Sequence, residues 1–366
     1  MIKERKESRK SLFRLDSMNK KTEKKKRLVL LDVLKIIFAL FVFLRHSSTM
    51  GGCRYGNLNN EFLIPINNII MSGFFILSGF SLFYTNNALN MHNMTTTFNF
   101  YKKRAIAIFP IYFLVIILHF ILLENDLITN LQLLPIEITG IHAYFNNTFY
   151  LLHNGTTWFV SCILLAYFIY PYIQEIIKCF NYKKRIIIFI ILLFFLTYFP
   201  FLFSWYKISE TYANPLFRCF EFIFGMTLCS IINFNKNRKN QYIYMYLFIF
   251  LLIIESINIY YFVKITDNTK YTMLSLIIYF GALYSPNKKL KHKVINFLIQ
   301  INYPFYIFQD LLWKKSKILN PFIQSFNSNI IRILSFFIVL LTISIASIYL
   351  YQIPISKLLK KSENIH

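Results

Sequence analysis

Residues 24–50 read KKKRLVLLDVLKIIFALFVFLRHSSTM, and how this stretch folds decides how the rest of the chain is taken. A block of cations leads into an almost unbroken apolar run. Its exceptions are Asp32 and Lys35 near the start and His46 where it ends. The run predicts a membrane helix. An α-helix turns about 100° and rises about 1.5 Å per residue, so Lys35 to His46 is three turns plus about 20°, or about 16 Å. Asp32, one turn before Lys35, joins the same stripe. Ionisable groups gathered on one face of a membrane helix point at protein or at a water-filled cavity, not at lipid. A plainer alternative makes Asp32 and Lys35 snorkelling interface anchors and His46 a loop residue. The shared face argues against it.

Composition extends the membrane reading to the whole chain. The 366 residues are 56% hydrophobic and 15% charged, with a mean hydropathy of +0.47. Soluble domains are about 45–50% apolar and about a quarter charged. The apolar excess is gathered into runs long enough to cross a bilayer, so the expected class is an all-α polytopic membrane protein. Forty Lys+Arg against sixteen Asp+Glu would point to nucleic acid in a soluble protein; here the cations belong to loops, and no nucleic-acid partner is expected. Cysteines 53, 162, 179, 219 and 229 form no CxxC pair and are odd in number, which supports neither a zinc site nor a disulfide framework.

The chain divides into a basic tail, 1–27, a membrane domain, 28–356, and a short tail, 357–366. The first tail holds twelve Lys/Arg and four acids, a composition expected to be disordered, cytoplasmic and attracted to anionic membrane lipids. It is too long and too basic for a signal peptide, and Gly51-Gly52-Cys53 comes too late for a lipoprotein cleavage site. Nine further spans are expected near 66–84, 105–123, 157–173, 186–204, 216–232, 242–263, 271–285, 294–313 and 331–354, two of them short. With the N-terminus inside, inner segments hold 29 Lys/Arg and outer ones ten, and the largest outer loop, 124–156, holds none. That asymmetry predicts ten helices with both termini cytoplasmic. There is no internal repeat of the kind that marks paired transporter halves.

Ionisable residues within apolar spans are costly and default to functional candidates. Beyond the first helix these are Arg104, Arg218, Glu221, Glu255 and Asp310. Arg218 and Glu221, three residues apart, meet on one helix face. They read either as a structural staple or as site residues, Arg218 binding substrate and Glu221 a second candidate base. Glu255 lacks a cation in its span. Asp310 reads as an interface pair with Lys314 and Lys315. Lys102-Lys103-Arg104 precedes a helix expected to start near Ala105, whose N-terminal amides would complete a phosphate site; positive-inside charge alone would also produce the cluster. His142 and His153 are spaced wrongly for a compact metal motif and carry no assigned role.

Six segments then fall into a pattern. LDVLKIIFALFVFLRH (31–46) places a cation before a His with ten residues between them. GFFILSGFSLF (73–83) contains FFxLSGF. FYKKRAIAIFPIYFL (100–114), TWFVSCILLAYFIYP (157–171), NPLFRCFEFIFGMTL (214–228) and INYPFYIFQDLLW (301–313) follow in order. Together they resemble the membrane acyltransferase-3 family, which O-acylates bacterial surface polysaccharides and related acceptors. Three positions depart from the family pattern. Lys35 stands for Arg and cannot grip a phosphate bidentately. Ala107 replaces the second Arg of an RxxR pair. Gln309 stands where the ninth helix often has His.

The resemblance implies an acyl-CoA donor, most often acetyl-CoA, and a sugar hydroxyl of a surface polysaccharide or lipid-linked glycan as acceptor, in a bacterial plasma membrane. No cofactor is expected to be permanently bound. His46 would be the general base. Lys35 and Arg104 would hold the CoA phosphates, and Asp32, Trp158 and Arg218 would line the substrate path. Asp32 is expected to pair with Lys35, being too far from His46 to orient its ring. A carrier or flippase for a lipid-linked glycan, without covalent chemistry, and a degenerate family member acting as a scaffold are the rival readings. The charge count makes a direct prediction. A cysteine introduced into 124–156 should react with a membrane-impermeant reagent in intact cells (in spheroplasts, if there is an outer membrane), and labelling only after lysis would reverse the orientation.

Overall fold

The structure, a computed structural model, describes residues 26–122, 127–145, 155–205, 211–234, 241–261, 263–284, 293–312 and 319–361. Most of the basic tail, His153 and Lys314, Lys315 and Lys317 lie outside the described residues. In hydrocarbon a backbone satisfies its polar groups only within helices or closed barrels. Here the elements are helices, with no strand among the described residues. They are α1 (Val29–Thr49), α2 (Ile64–Asn86, entered through a π turn, Asn59–Leu63), α3 (Met94–Leu122), α4 (Leu127–Thr139) and α5 (Trp158–Cys179, opened by a 3-10 turn, Gly155–Thr157). Then come α6 (Tyr182–Trp205), α7 (Pro215–Ile231), α8 (Gln241–Tyr261), α9 (Val263–Leu283) and α10 (Lys293–Ile307). The short α11 (Leu319–Gln324) precedes α12 (Asn329–Ser347), which continues through a π turn, Ile348–Gln352, into α13 (Ile353–Lys361).

A helix lies over each stretch expected to span. Among the described residues, five helical stretches are long and apolar enough to cross a membrane: Asn59–Asn86, Met94–Leu122, Gly155–Cys179, Gln241–Tyr261 and Asn329–Leu359. α1 carries Asp32, Lys35 and Arg45 in its 21 residues, and α7 has only 17, so both fall outside that measure.

Several boundaries differ from the sequence reading. α3 begins at Met94, not near Ala105, because Asn93 accepts the backbone N–H of Thr95 at 3.0 Å and starts the helix early. α5 does not stop near residue 173; it runs on to Cys179, and its polar last turns clasp the α2–α3 loop, with Gln174 Nε2 donating to the Leu89 carbonyl at 3.0 Å and Glu175 accepting the Met91 N–H at 2.8 Å. The 124–156 stretch is more than a loop: it forms α4 and a 3-10 turn at His142–Tyr144.

α2 and α7 form the centre. Twelve of the seventeen residues of α7 are buried, the mark of a helix enclosed on all sides. Asn214 caps it, accepting the Phe217 N–H at 3.1 Å, and Pro215 occupies the first helical position. Glycines let the two backbones touch: a Cβ on Gly79 would lie 1.9 Å from the Phe222 carbonyl oxygen, and one on Gly225 would lie 2.0 Å from that of Ile76. Such small-residue contacts take the place of a hydrophobic driving force between membrane helices. α8, by contrast, buries only Phe248, Glu255 and Ile259 and turns Ile249, Phe250, Ile253 and Ile257 outward.

Cross-helix contacts fix relative directions. Asn302 of α10 donates to the Lys35 carbonyl at 3.3 Å, while Gln309, just beyond α10, meets His46. Tyr303 meets the Ile108 carbonyl, while Asp310 meets His119. α1, α3 and α10 therefore run in the same direction. One end of the bundle gathers His46, His119, Gln309 and Asp310; the other holds Lys35 and Arg104. Because the glycine contacts meet backbone rather than flexible side chains, Gly79→Ala or Gly225→Ala should force α2 and α7 apart. Detergent-solubilised protein should melt at a lower temperature for either variant, at a cost of about 1–3 kcal/mol or more. An unchanged melting temperature would mean that the two helices are not in backbone contact.

Candidate functional site

The His46 end is assembled by the segment that succeeds α10. Pro304 lies inside that helix and lacks the N–H for its own turn. After Ile307 the chain passes Phe308, re-enters a helical turn at Gln309 and Asp310, and widens into a π turn at Leu311 and Leu312. Departures of this kind from α geometry cluster at functional sites. They leave two consecutive polar side chains buried, Gln309 and Asp310. In a helical turn these diverge by about 100°, so each serves a different neighbour. Gln309 reaches α1, where its Oε1 lies 2.5 Å from His46 Nδ1 across 263 residues of chain. Asp310 reaches α3 and the turn before α5: Oδ2 is 3.7 Å from His119 Nε2 and accepts the Gly155 N–H at 3.3 Å. Asp310 is 1% exposed; its expected partners, Lys314 and Lys315, lie outside the described residues.

His46 itself is half-buried. With Gln309 Oε1 against it, Nδ1 carries a proton and donates. Tyr306, one turn before Asp310, stands with its ring 6.4 Å from that of His46 and donates to the Thr156 carbonyl at 3.1 Å. The Gln309 amide nitrogen is buried and has no hydrogen-bond partner among the described residues. Over this end lies the α4 segment, where Ala143 N–H donates to Ser161 Oγ at 3.3 Å and Tyr112 donates to the Glu137 carbonyl. His142 is buried within it. Burial pushes its imidazole down to about 4 against the opposing pull of Glu137, so it is neutral at pH 7.

Arg218 and Glu221 form a second polar cluster at the same end. Arg218 Nη1 lies 2.7 Å from Glu221 Oε2 and donates to Ser72 Oγ at 3.2 Å, while Nε donates to the Tyr212 carbonyl at 2.8 Å. Tyr271 donates to the other Glu221 oxygen at 2.7 Å. Both oxygens of Glu221 are engaged, the arrangement that makes a buried pair tolerable. The guanidinium is boxed by Phe75, Trp158 and Tyr212, with ring centroids 5.4–5.6 Å away. Trp158 is buried, packed on Arg218 and on Tyr212. Phe159, next to Trp158, packs on Tyr306 at 5.6 Å and so links this cluster to the His46 end.

The opposite end holds the cations. Lys35 Nζ donates to Ser81 Oγ at 2.9 Å. Asp32 is taken by Arg27, whose Nε lies 2.5 Å from Oδ2. The close contact thus goes to Arg27, which precedes the helix and folds back over its first turn, while the Asp32 charge still acts on Lys35. Arg104 lies under two rings, Phe100 and Tyr167, each 5.8 Å from Cζ. Since α3 starts ten residues earlier, at Met94, no N-terminal amides reach Arg104, and that part of the expected phosphate site falls away. The Lys35 side chain is partly buried and Lys103 is exposed.

Two residues of these sites carry no signal in the sequence reading. His119 lies in the apolar run of α3 and is completely buried; the rule that flags ionisable residues in spans finds it once histidine is counted. Ser81 sits within the FFILSGFS segment, five residues after Ile76, on the face towards α1.

The sequence matches the acyltransferase-3 family, described as an acyltransferase domain, over residues 28–352. No curated protein and no solved structure gives a match. The matched span takes in α1, the Arg218 cluster and the whole of the α10 terminus. The chain therefore belongs to the acyltransferase-3 family and is a membrane acyltransferase.

Proposed function

We propose that the chain moves an acyl group, acetyl in the simplest case, from acyl-CoA to a hydroxyl of a surface polysaccharide or lipid-linked glycan, with His46 as general base. The observation that carries this reading is the 2.5 Å contact between His46 Nδ1 and Gln309 Oε1. It commits the ring proton to Nδ1 and leaves Nε2 as the basic nitrogen, the state a general base needs. Nε2 takes the acceptor's proton as its oxygen attacks the thioester carbonyl. The tetrahedral intermediate collapses, the C–S bond breaks, and the proton passes from Nε2 to the departing thiolate. No proton is gained or lost overall. The buried Gln309 amide N–H is available to the oxyanion that develops on the carbonyl.

Lys35 and Arg104 lie at the other end of the bundle. Along α3, Arg104 is fifteen residues from His119, about 22 Å of helix. In this reading the CoA phosphates stay near those two cations while the pantetheine arm reaches through the bundle. Lys35 contributes a point charge rather than a fork. Arg218 and Glu221 shape the wall beside His46, and Glu221 moves no proton. Ten spans, cytoplasmic termini and a bacterial plasma membrane complete the proposal, with 29 Lys/Arg on the inner side in support.

His46→Ala should lower acyl transfer by roughly 10²–10⁴-fold, the usual range for a positioned base, with the protein still accumulating in membranes. Mass spectrometry of surface glycans from cells carrying each variant reads the product. His46→Gln keeps a hydrogen-bonding side chain but takes no proton at neutral pH. Near-normal acylation by that variant would refute the base assignment, and normal acylation with altered glycan export would favour a carrier.

A further inference from the structure

His119 and Asp310 take no part in the proton transfer just described, yet both are buried, and Asp310 is the immediate neighbour of the residue that holds His46. His119 Nδ1 lies 2.9 Å from the Val115 carbonyl, four residues earlier in α3. A carbonyl only accepts, so Nδ1 carries a proton and donates it there. Nε2 then faces Asp310 Oδ2 across 3.7 Å and has no hydrogen-bond partner among the described residues. A bare lone pair directed at a carboxylate in an apolar interior would be repulsive. A proton shared between them removes that repulsion and ties His119 to Asp310. The same carboxylate oxygen takes the Gly155 N–H at 3.3 Å. Asp310 is thus held from two sides, by α3 and by the turn that opens α5.

We propose that His119 and Asp310 are positioning residues for the acyl-transfer site. Their contact fixes the short turn after Phe308, and so the direction in which Gln309 presents its oxygen to His46. The mechanism runs through tautomers. When Gln309 is held, the His46 proton stays on Nδ1. When that turn is loose, the proton is free to settle on Nε2, which removes the base without removing the histidine. This inference rests on the reading of His46 as base.

The test compares His119→Leu, Asp310→Asn, Gln309→Leu and the double variant His119→Leu/Gln309→Leu for acyl transfer, with protein in the membrane quantified for each. Each single change should lower kcat by about 10–100-fold, as for other groups that orient a histidine through its second nitrogen, and leave the donor KM near wild type. The double variant should be no slower than Gln309→Leu alone, because both changes act through one contact. His119→Gln, whose amide still donates towards Asp310, should recover most of the loss. Additive losses in the double variant, or wild-type kcat in the single variants, would overturn the proposal. Should leucine at 119 prevent accumulation, Asp310→Asn decides the matter, since it keeps the volume and an acceptor for Gly155 while losing the charge. His46→Ala separates the two levels. If it leaves transfer intact, the base assignment falls; if it abolishes transfer while the His119 and Asp310 variants match wild type, only the positioning role falls.

Discussion

The segment after α10 is where the structure's local and long-range demands meet. A membrane interior has no water to satisfy a stray polar group, so burying Gln309 and Asp310 in succession requires a partner for each. The turn supplies different directions, and three other elements answer: α1 with His46, α3 with His119, and the Gly155–Thr157 turn with the backbone N–H of Gly155. A regular helix continued through Phe308 would carry these side chains at fixed steps of about 100°. The interruption at Phe308 sets the turn of Gln309 and Asp310 apart from α10. The polar groups of the site and the packing of the helices are therefore one problem with one solution.

Behind this end stands a frame that tolerates little movement. The reciprocal contacts of Gly79 and Gly225 bring α2 and α7 into backbone contact, and Ser72 on α2 is thereby close enough to accept from Arg218 on α7. A buried ion pair is weak support for stability, because two desolvated charges offset most of their own attraction; losing one partner alone costs about 3–5 kcal/mol. What the Arg218–Glu221 pair does supply is direction. Its guanidinium fixes Trp158 and Tyr212, and through Phe159 and Tyr306 the aromatic contacts continue to the His46 ring.

Much of this is legible in the chain itself. The spacing of Lys35 and His46 implies one helix with a cation at one end and a histidine at the other, and α1 is such a helix. The order of the six motifs carries the family. The features that stay hidden have physical causes. The polar residues 94–104 look like a loop, yet Asn93 starts a helix there, and the single signal is the side-chain acceptor two residues before Thr95. Asp32 points to Lys35 when helical spacing is the only guide, while Arg27 competes from outside the helix. A search for formal charge passes over histidine, so the lone imidazole of His119 vanishes among Ile, Leu and Phe. Gln309 shows only as a departure from the family pattern; its partnership with His46 is a contact across the fold that no local pattern encodes.

The proposed chemistry demands sidedness: a donor gripped at the Lys35–Arg104 end and an acyl group delivered at the His46 end. Membrane vesicles sealed in the inverted orientation, with labelled acetyl-CoA added outside and glycan acceptor enclosed, put that demand to the test. Label should cross to the enclosed acceptor, and none should appear when acetyl-CoA is added to vesicles of the opposite orientation. Labelling only when donor and acceptor share one side would refute it, because both substrates would then meet at a single face of the membrane.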